Sequence, residues 1–206
     1  RGMHRDIGSV DLNSLYPSTL RACNMGNETI IGQLRPIYTD QYIETKMQEN
    51  GGNFAEAWEG MFSSLEYSYV MNNNDVDKFQ TITIDWEDGN TSEHTAHEVW
   101  NLIFNSDQPW ILSANGTIFS FEKEAIVPSL LKRWYAERKE LQAKKKDSVT
   151  PEDIAFWDKR QLVKKINLNS LYGALLNPGC RFFDKRIGQS TTLTGRTIAK
   201  HMDAFI

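Results

Sequence analysis

The 206 residues carry a net charge of −4, are 40% hydrophobic and include 23 aromatic side chains, enough to bury a sizeable core and to exclude overall disorder. Two cysteines, Cys23 and Cys180, build neither a disulfide framework nor a zinc knuckle and read as reduced thiols of a cytoplasmic protein. No apolar run reaches the length of a membrane span and no signal peptide opens the chain, which starts without Met and stops inside a helical pattern, as a piece of a longer protein would.

The first segment, IGSVDLNSLYPSTLRACN, reads as a short strand, with Val10 and Leu12 on its buried side, running into a helix. Pro17 suits the first helical turn, where a missing N–H costs little. Asp11 then lies at the strand's carboxyl end, beside a helix N-terminus, where a carboxylate suits a hard divalent cation and free N–H groups suit phosphate oxygens. Tyr16 follows within a turn. A helix cap and a buried aromatic explain Asp11 and Tyr16 equally well.

Residues 40–80 are polar and turn-rich, and read as a surface insertion with short helical pieces around Trp58 and Phe62. TITIDWEDGNTSEHTA alternates around Asp88-Gly89 and predicts a hairpin; AHEVWNLIF predicts a short helix. WILSANGTIFSF predicts a second hairpin, turning at Asn115-Gly116. His94 and His97, without cysteines or an acidic cluster to join them, belong to a hairpin-to-helix surface rather than a metal site.

Charge then changes sign. Residues 1–131 hold 7 Lys and Arg against 19 Asp and Glu, residues 132–206 hold 16 against 8, so a cationic surface is confined to one part of the protein. A helix is predicted over 129–146 and a second over about 151–176, the latter started by Thr150 as N-cap, Pro151 and Asp153. The short link between them implies an antiparallel hairpin. After Asn177-Pro178-Gly179, CRFFD reads as a strand and TTLTGRTIAKHMDAF as a last helix. In the second helix Lys165, Asn169 and Tyr172 stand at i, i+4 and i+7 and share a face, followed by Gly173; Leu162, Ile166, Leu175 and Leu176 supply apolar surface elsewhere around it. A cation, an amide, an aromatic and a glycine in one row fit an elongated anionic ligand with a flat end, and Arg138 on the partner helix adds a second cation. Each residue taken singly is ordinary surface.

The five letters LNSLY occur at 12–16 and again at 168–172. Their flanks differ, one strand-to-helix and one mid-helix, so no supersecondary unit is repeated. DLNSLYPS resembles motif A of family B DNA polymerases, D-x-x-S-L-Y-P-S, and KINLNSLYG resembles their motif B, K-x-x-x-N-S-x-Y-G. NMGNETI, SANGTIF, VPSLLKRWYAERKEL and RFFDKR…TLTGR are similar to further palm and fingers segments, the first to a string in the replicative enzymes of tailed bacteriophages; the resemblance spans residues 7–39 and 109–203. It implies an α+β fold: a partial palm, an antiparallel sheet with helices, interrupted by a helical-hairpin fingers domain. The palm would occupy 1–127, with a variable insertion at 40–108, and continue at 179–206; the fingers would occupy 128–178.

The resemblance also implies DNA-directed nucleotidyl transfer with two Mg²⁺ ions, primer–template DNA and dNTP as partners, a sliding clamp engaged through regions outside these residues, and no membrane. Asp11 would ligate both metals and Leu12 would add its carbonyl. The N–H groups of Leu15 and Tyr16 would hold triphosphate oxygens, with Tyr16 as the gate against a 2′-hydroxyl. Arg138, Lys165 and Asn169 would grip the phosphates, and Tyr172 with Gly173 would test the base pair. Two departures stand out. Gln142 occupies a position where the family commonly has Lys, and the second carboxylate motif, Y-x-D-T-D-S, is absent from these residues, which predicts that the chain is inactive alone. Two further readings follow from that absence: a non-catalytic nucleic-acid-binding module, and one half of a split polymerase.

Overall fold

The computed structural model describes residues 11–36 and 81–205, with Gln48 between them. The strand expected before Asp11, and the insertion with Trp58 and Phe62, lie outside the described residues. The chain runs through helix α1 (Leu15–Ala22), a 3-10 turn at Asn27–Thr29, strands β1 (Ile30–Pro36), β2 (Thr81–Trp86) and β3 (Thr91–Thr95), and helix α2 (Ala96–Phe104). Strands β4 (Trp110–Leu112) and β5 (Thr117–Ser120) follow, then helices α3 (Ile126–Asp147), α4 (Pro151–Leu175) and α5 (Lys185–Phe205). The five strands form one sheet in the order β3-β2-β1-β5-β4, every pair antiparallel, and the fold is α+β as expected.

Both hairpins turn where the sequence places them, at Gly89 (φ 87°) and Gly116 (φ 82°), a left-handed conformation that glycine adopts without a Cβ clash. Alternation holds along β2, where Ile82 and Ile84 are buried beside a more open Thr83. Strand β5 is buried along its length because it covers two cores: Phe119 faces one and Ile118 the other. Strand β1 serves both as well, by a different device. Ile30 pairs with Phe119 but Gly32 pairs with Ile118, so one extra residue, Ile31, is inserted. A one-residue slip turns later side chains to the opposite face, and Leu34 accordingly joins the Ile118 core while Ile30 stays with Phe119.

The smaller core lies under α2, whose Val99 and Ile103 pack on Leu34, Ile82, Ile84 and Ile118. Thr95 and Glu98 form a reciprocal capping box at the start of α2. The larger core gathers Leu20 and Cys23 of α1 and its exit, Met25, Ile30, Phe119, Val127 and Leu131 of α3, Leu168 and Leu175 of α4, and Ile187 of α5. Burial pushes the Cys23 thiol up to about 11.

Helices α3 and α4 run antiparallel. Lys145 pairs with Asp158 at 2.7 Å, Arg138 donates to Gln161 at 3.3 Å and Lys164 pairs with Glu137. Thr150 caps α4 by accepting from the Asp153 N–H at 3.1 Å, with Pro151 at the first helical position. Three expectations are corrected. Leu12 lies outside any strand, because the chain is already turning: Ser14 is left-handed, at φ 55° and ψ 58°. CRFFD forms successive turns, with the Cys180 N–H on the Asn177 carbonyl and the Phe183 N–H on Cys180. The last helix begins at Lys185, six residues before the expected Thr191, with the Asp184 carboxylate accepting the Arg186 N–H at 2.8 Å.

Candidate nucleotide site

The two LNSLY strings meet. Tyr16, in the first turn of α1, and Tyr172, in the last turn of α4, stand 4.6 Å apart between ring centroids, tilted by 35°. That separation is stacking distance for aromatic rings. Helix α5 lies behind both: Gly195 faces Leu15, and the Gly188 carbonyl accepts the Tyr172 hydroxyl at a long 3.5 Å. A Cβ on Gly188 would collide with the Leu176 side chain. Burial raises the Tyr172 phenol above its usual value, and the Tyr16 phenol adds to the rise. Tyr16 keeps 38% of its surface exposed, so the pair is open on one side.

The start of α1 is bare. Among the described residues no side chain caps it, Pro17 has no N–H to offer, and the Ser18 hydroxyl bonds backward to the Asn13 carbonyl at 3.0 Å. Among the described residues no capping side chain thus meets the N–H groups of Leu15 and Tyr16, which suits an external acceptor. Asp11 is exposed four residues before the helix. Leu12 is half-buried next to it.

On the hairpin, Lys165 and Asn169 are exposed, and among the described residues neither side chain carries a hydrogen bond or ion pair. Arg138 is half-buried and tied to Gln161; Gln142, one turn on, is half-buried too. Gly173 is exposed, and a Cβ built there would meet nothing within 4 Å, so open space lies over that part of α4. The structure therefore brings Tyr16 to Tyr172 and Arg138 to α4, while Asp11, Lys165 and Asn169 make no hydrogen bond or ion pair with the other candidates among the described residues. Among the described residues no three His, Cys, Asp or Glu side chains gather into a metal-binding cluster. An exposed carboxylate beside a carbonyl fits part of the oxygen shell of a divalent cation and no more. His94 bonds Ser92 through Nε2 at 2.8 Å, within the β2–β3 hairpin, and takes no part in the site.

Single residues did not announce what holds the hairpin's base. Asn24, left-handed at φ 50°, donates to the carbonyls of Ser120 and Lys123, both at 2.8 Å, and accepts the Ala125 N–H at 2.9 Å. Glu28 accepts the Ile126 N–H, doing for α3 what an N-cap side chain would do. Gly26 sits against Ala125, whose Cβ would lie 2.6 Å from an added Cβ. The NMGNETI string is thus the socket for α3. The only sequence signal for it was the family resemblance.

A family model for DNA polymerase family B matches residues 1–206, the whole chain. The chain belongs to DNA polymerase family B. Among its relatives, a DNA polymerase of Trichoplusia ni ascovirus 2c is 23% identical over 246 residues, covering 97% of this chain and 24% of that protein. A DNA polymerase catalytic subunit of Alcelaphine herpesvirus 1 (strain C500) is 28% identical over 108 residues, covering 52% of this chain and 10% of that protein. This family B chain thus spans about a quarter or less of the curated relatives it matches. A family B DNA polymerase from the archaeon Pyrobaculum calidifontis is similar in structure over 48% of this chain and 13% of that one, at 23% identity and a TM-score of 0.45.

Proposed function

We propose that this chain carries the nucleotide-binding part of a DNA-directed DNA polymerase, one that adds dNTPs to a primer 3′-hydroxyl on a DNA template. The observation that carries the reading is the 4.6 Å approach of Tyr16 and Tyr172, one from each motif string. Residues 1–127 and 179–206 are the palm and 128–178 the fingers. Tyr16 lies under the sugar and leaves no room for a 2′-hydroxyl. Tyr172, with open space over Gly173, lies along the nascent base pair. The uncapped N–H groups of Leu15 and Tyr16 hold triphosphate oxygens, and Arg138, Lys165 and Asn169 grip them from the hairpin. Gln142 adds a hydrogen bond where a Lys would add charge, so the grip is weaker than a third cation would make it.

Asp11 and the Leu12 carbonyl would hold Mg²⁺, which when bound neutralises the triphosphate and acidifies the primer hydroxyl. The second carboxylate comes from outside these 206 residues, in the same polypeptide or on a partner. A clamp-bound enzyme of a tailed bacteriophage, working in the host cytoplasm, is the parent that the NMGNETI string favours, although the two viral relatives are an ascovirus and a herpesvirus. Primer extension by the full-length protein tests the core of this. Asp11→Ala is expected to abolish extension and leave primer–template binding within a few-fold; equal loss of both would remove Asp11 from the chemistry.

A second reading, a nucleic-acid-binding module without chemistry, is favoured by the lack, among the described residues, of any cluster of three or more metal-binding side chains. Mixing the chain with a partner that bears the Y-x-D-T-D-S motif distinguishes it from a split enzyme, because restored extension eliminates the purely binding role.

A further inference from the structure

On the far side of α1 from Tyr16 lies an open cleft of about 650 Å³. Ser18 and Arg21 line it, roughly 200° and 140° round the helix from Tyr16 at about 100° per residue. Its other walls are Asn24, the residues Phe121, Lys123 and Glu124 after β5, and Pro128 and Lys132 of α3. Three cations therefore face one acid. Lys132 is paired with Glu124 at 3.1 Å. Arg21 and Lys123 are not paired: among the described residues no carboxylate meets either side chain, and the buried Arg21 Nε has no hydrogen-bond partner. Buried polar atoms are bonded in the great majority of cases, so an unmade bond on a charged group is informative.

The Arg21 guanidinium is also held in place. It lies 4.7 Å from the Tyr135 ring centroid, a cation–π contact that fixes the head at little entropic cost to a ligand. Phe121, 45% exposed, puts a flat apolar ring on the same cleft. Two unpaired cations beside an exposed aromatic ring match a phosphate joined to a base, and the volume is that of a small-ligand pocket. An acidic peptide would use the cations and leave the ring idle.

We infer that this cleft binds the phosphate and base of a nucleotide, free or within a single strand, as a site separate from the one at Tyr16 and Tyr172. It does not rest on the polymerase reading. The test uses the full-length protein carrying R138A/K165A, which removes the hairpin's phosphate grip. Fluorescence anisotropy with labelled single-stranded dT12 and calorimetry with dTTP read the remaining binding.

Retained binding that R21Q/K123Q then weakens supports the site, as a strand site where only dT12 shows it and as a free-nucleotide site where dTTP does. Adding R21Q/K123Q is expected to weaken that binding at least tenfold. For dT12 it should lower the slope of log K against log salt by about 1.4, at roughly 0.7 per phosphate contact on a single strand. Lys123→Gln alone, a surface change that cannot unfold the protein, should lower it by about 0.7. Loss of all binding in R138A/K165A, an unchanged salt slope in K123Q, or equal displacement by a poly-glutamate peptide would overturn the proposal.

Discussion

Asn24 joins three backbone groups from residues 120, 123 and 125 through one buried amide, and Thr29 in turn donates to the Asn24 carbonyl at 2.7 Å. Replacing it by Ala leaves those groups buried without partners, at about 1–3 kcal/mol for each one left unsatisfied. Chemical denaturation of Asn24→Ala should show a loss of at least 2 kcal/mol by that reckoning, and a loss under 0.5 would mean that water takes over the bonds. Asp184 is a second case, with a pH signature. Burial pushes its carboxyl up, but hydrogen bonds from the Arg186 side chain and backbone outweigh burial and leave it below the ordinary value. A depressed carboxylate stabilises the fold above its unfolded value, near 4, and the contribution is lost as pH falls through the folded value. The melting temperature of Asp184→Asn should therefore lie below wild type at pH 7 and converge with it as the pH falls below the ordinary carboxylate range; a constant gap would contradict this. Neither role was legible in the sequence. An Asn or Asp in a turn is ordinary; Asn24 matters through partners up to 101 residues away, and Asp184 through an Arg186 that the turn folds back onto it.

Elements with local signals were legible. Asp88-Gly89 and Asn115-Gly116 specify their turns through glycine at positive φ, and Thr150, Pro151 and Asp153 specify the start of α4 through a cap, a ring and an N–H. Elements without such a signal were not. α5 starts early because Asp184 takes up the Arg186 N–H, and its threonines sit in a helix by turning their hydroxyls back onto it: Thr191 to Ile187 at 2.7 Å, Thr192 to Gly188 at 3.0 Å, Thr197 to Leu193 at 3.0 Å. The inserted residue in β1 has no local mark either, since it answers to the need to feed two cores. The packing of the socket against α3 yields a prediction at this scale. Gly26→Ala would set a methyl 2.6 Å from the Ala125 Cβ, a contact that a rigid helix start relieves only by shifting. Overpacking of this kind costs about 1–3 kcal/mol, and the variant should unfold at lower denaturant with the change concentrated at α3, read as faster amide exchange over residues 126–131. Uniform exchange across the chain would place the strain elsewhere.

For the whole molecule, the sign change in charge coincides with a change of architecture. The acidic part supplies all five strands, and the basic part supplies most of the hairpin and all of α5. What joins them at the candidate site is a pair of five-residue strings, one opening α1 and one near the end of α4, brought together although 151 residues lie between Tyr16 and Leu168. Identity of the strings suggested a shared ligand; their contact could not be read from sequence, because it depends on how α4 crosses α1 over the common base of α5. The central claim is that the two rings flank one nucleotide, Tyr16 at the sugar and Tyr172 at the base. Single-turnover incorporation of dNTP, rNTP and mispaired dNTP by the full-length polymerase tests it directly. Tyr16→Ala should raise ribonucleotide use at least tenfold with base selection little changed, and Tyr172→Ala should raise misincorporation at least tenfold with sugar selection little changed. Equal effects of both substitutions on both selectivities, or none on either, would contradict the account.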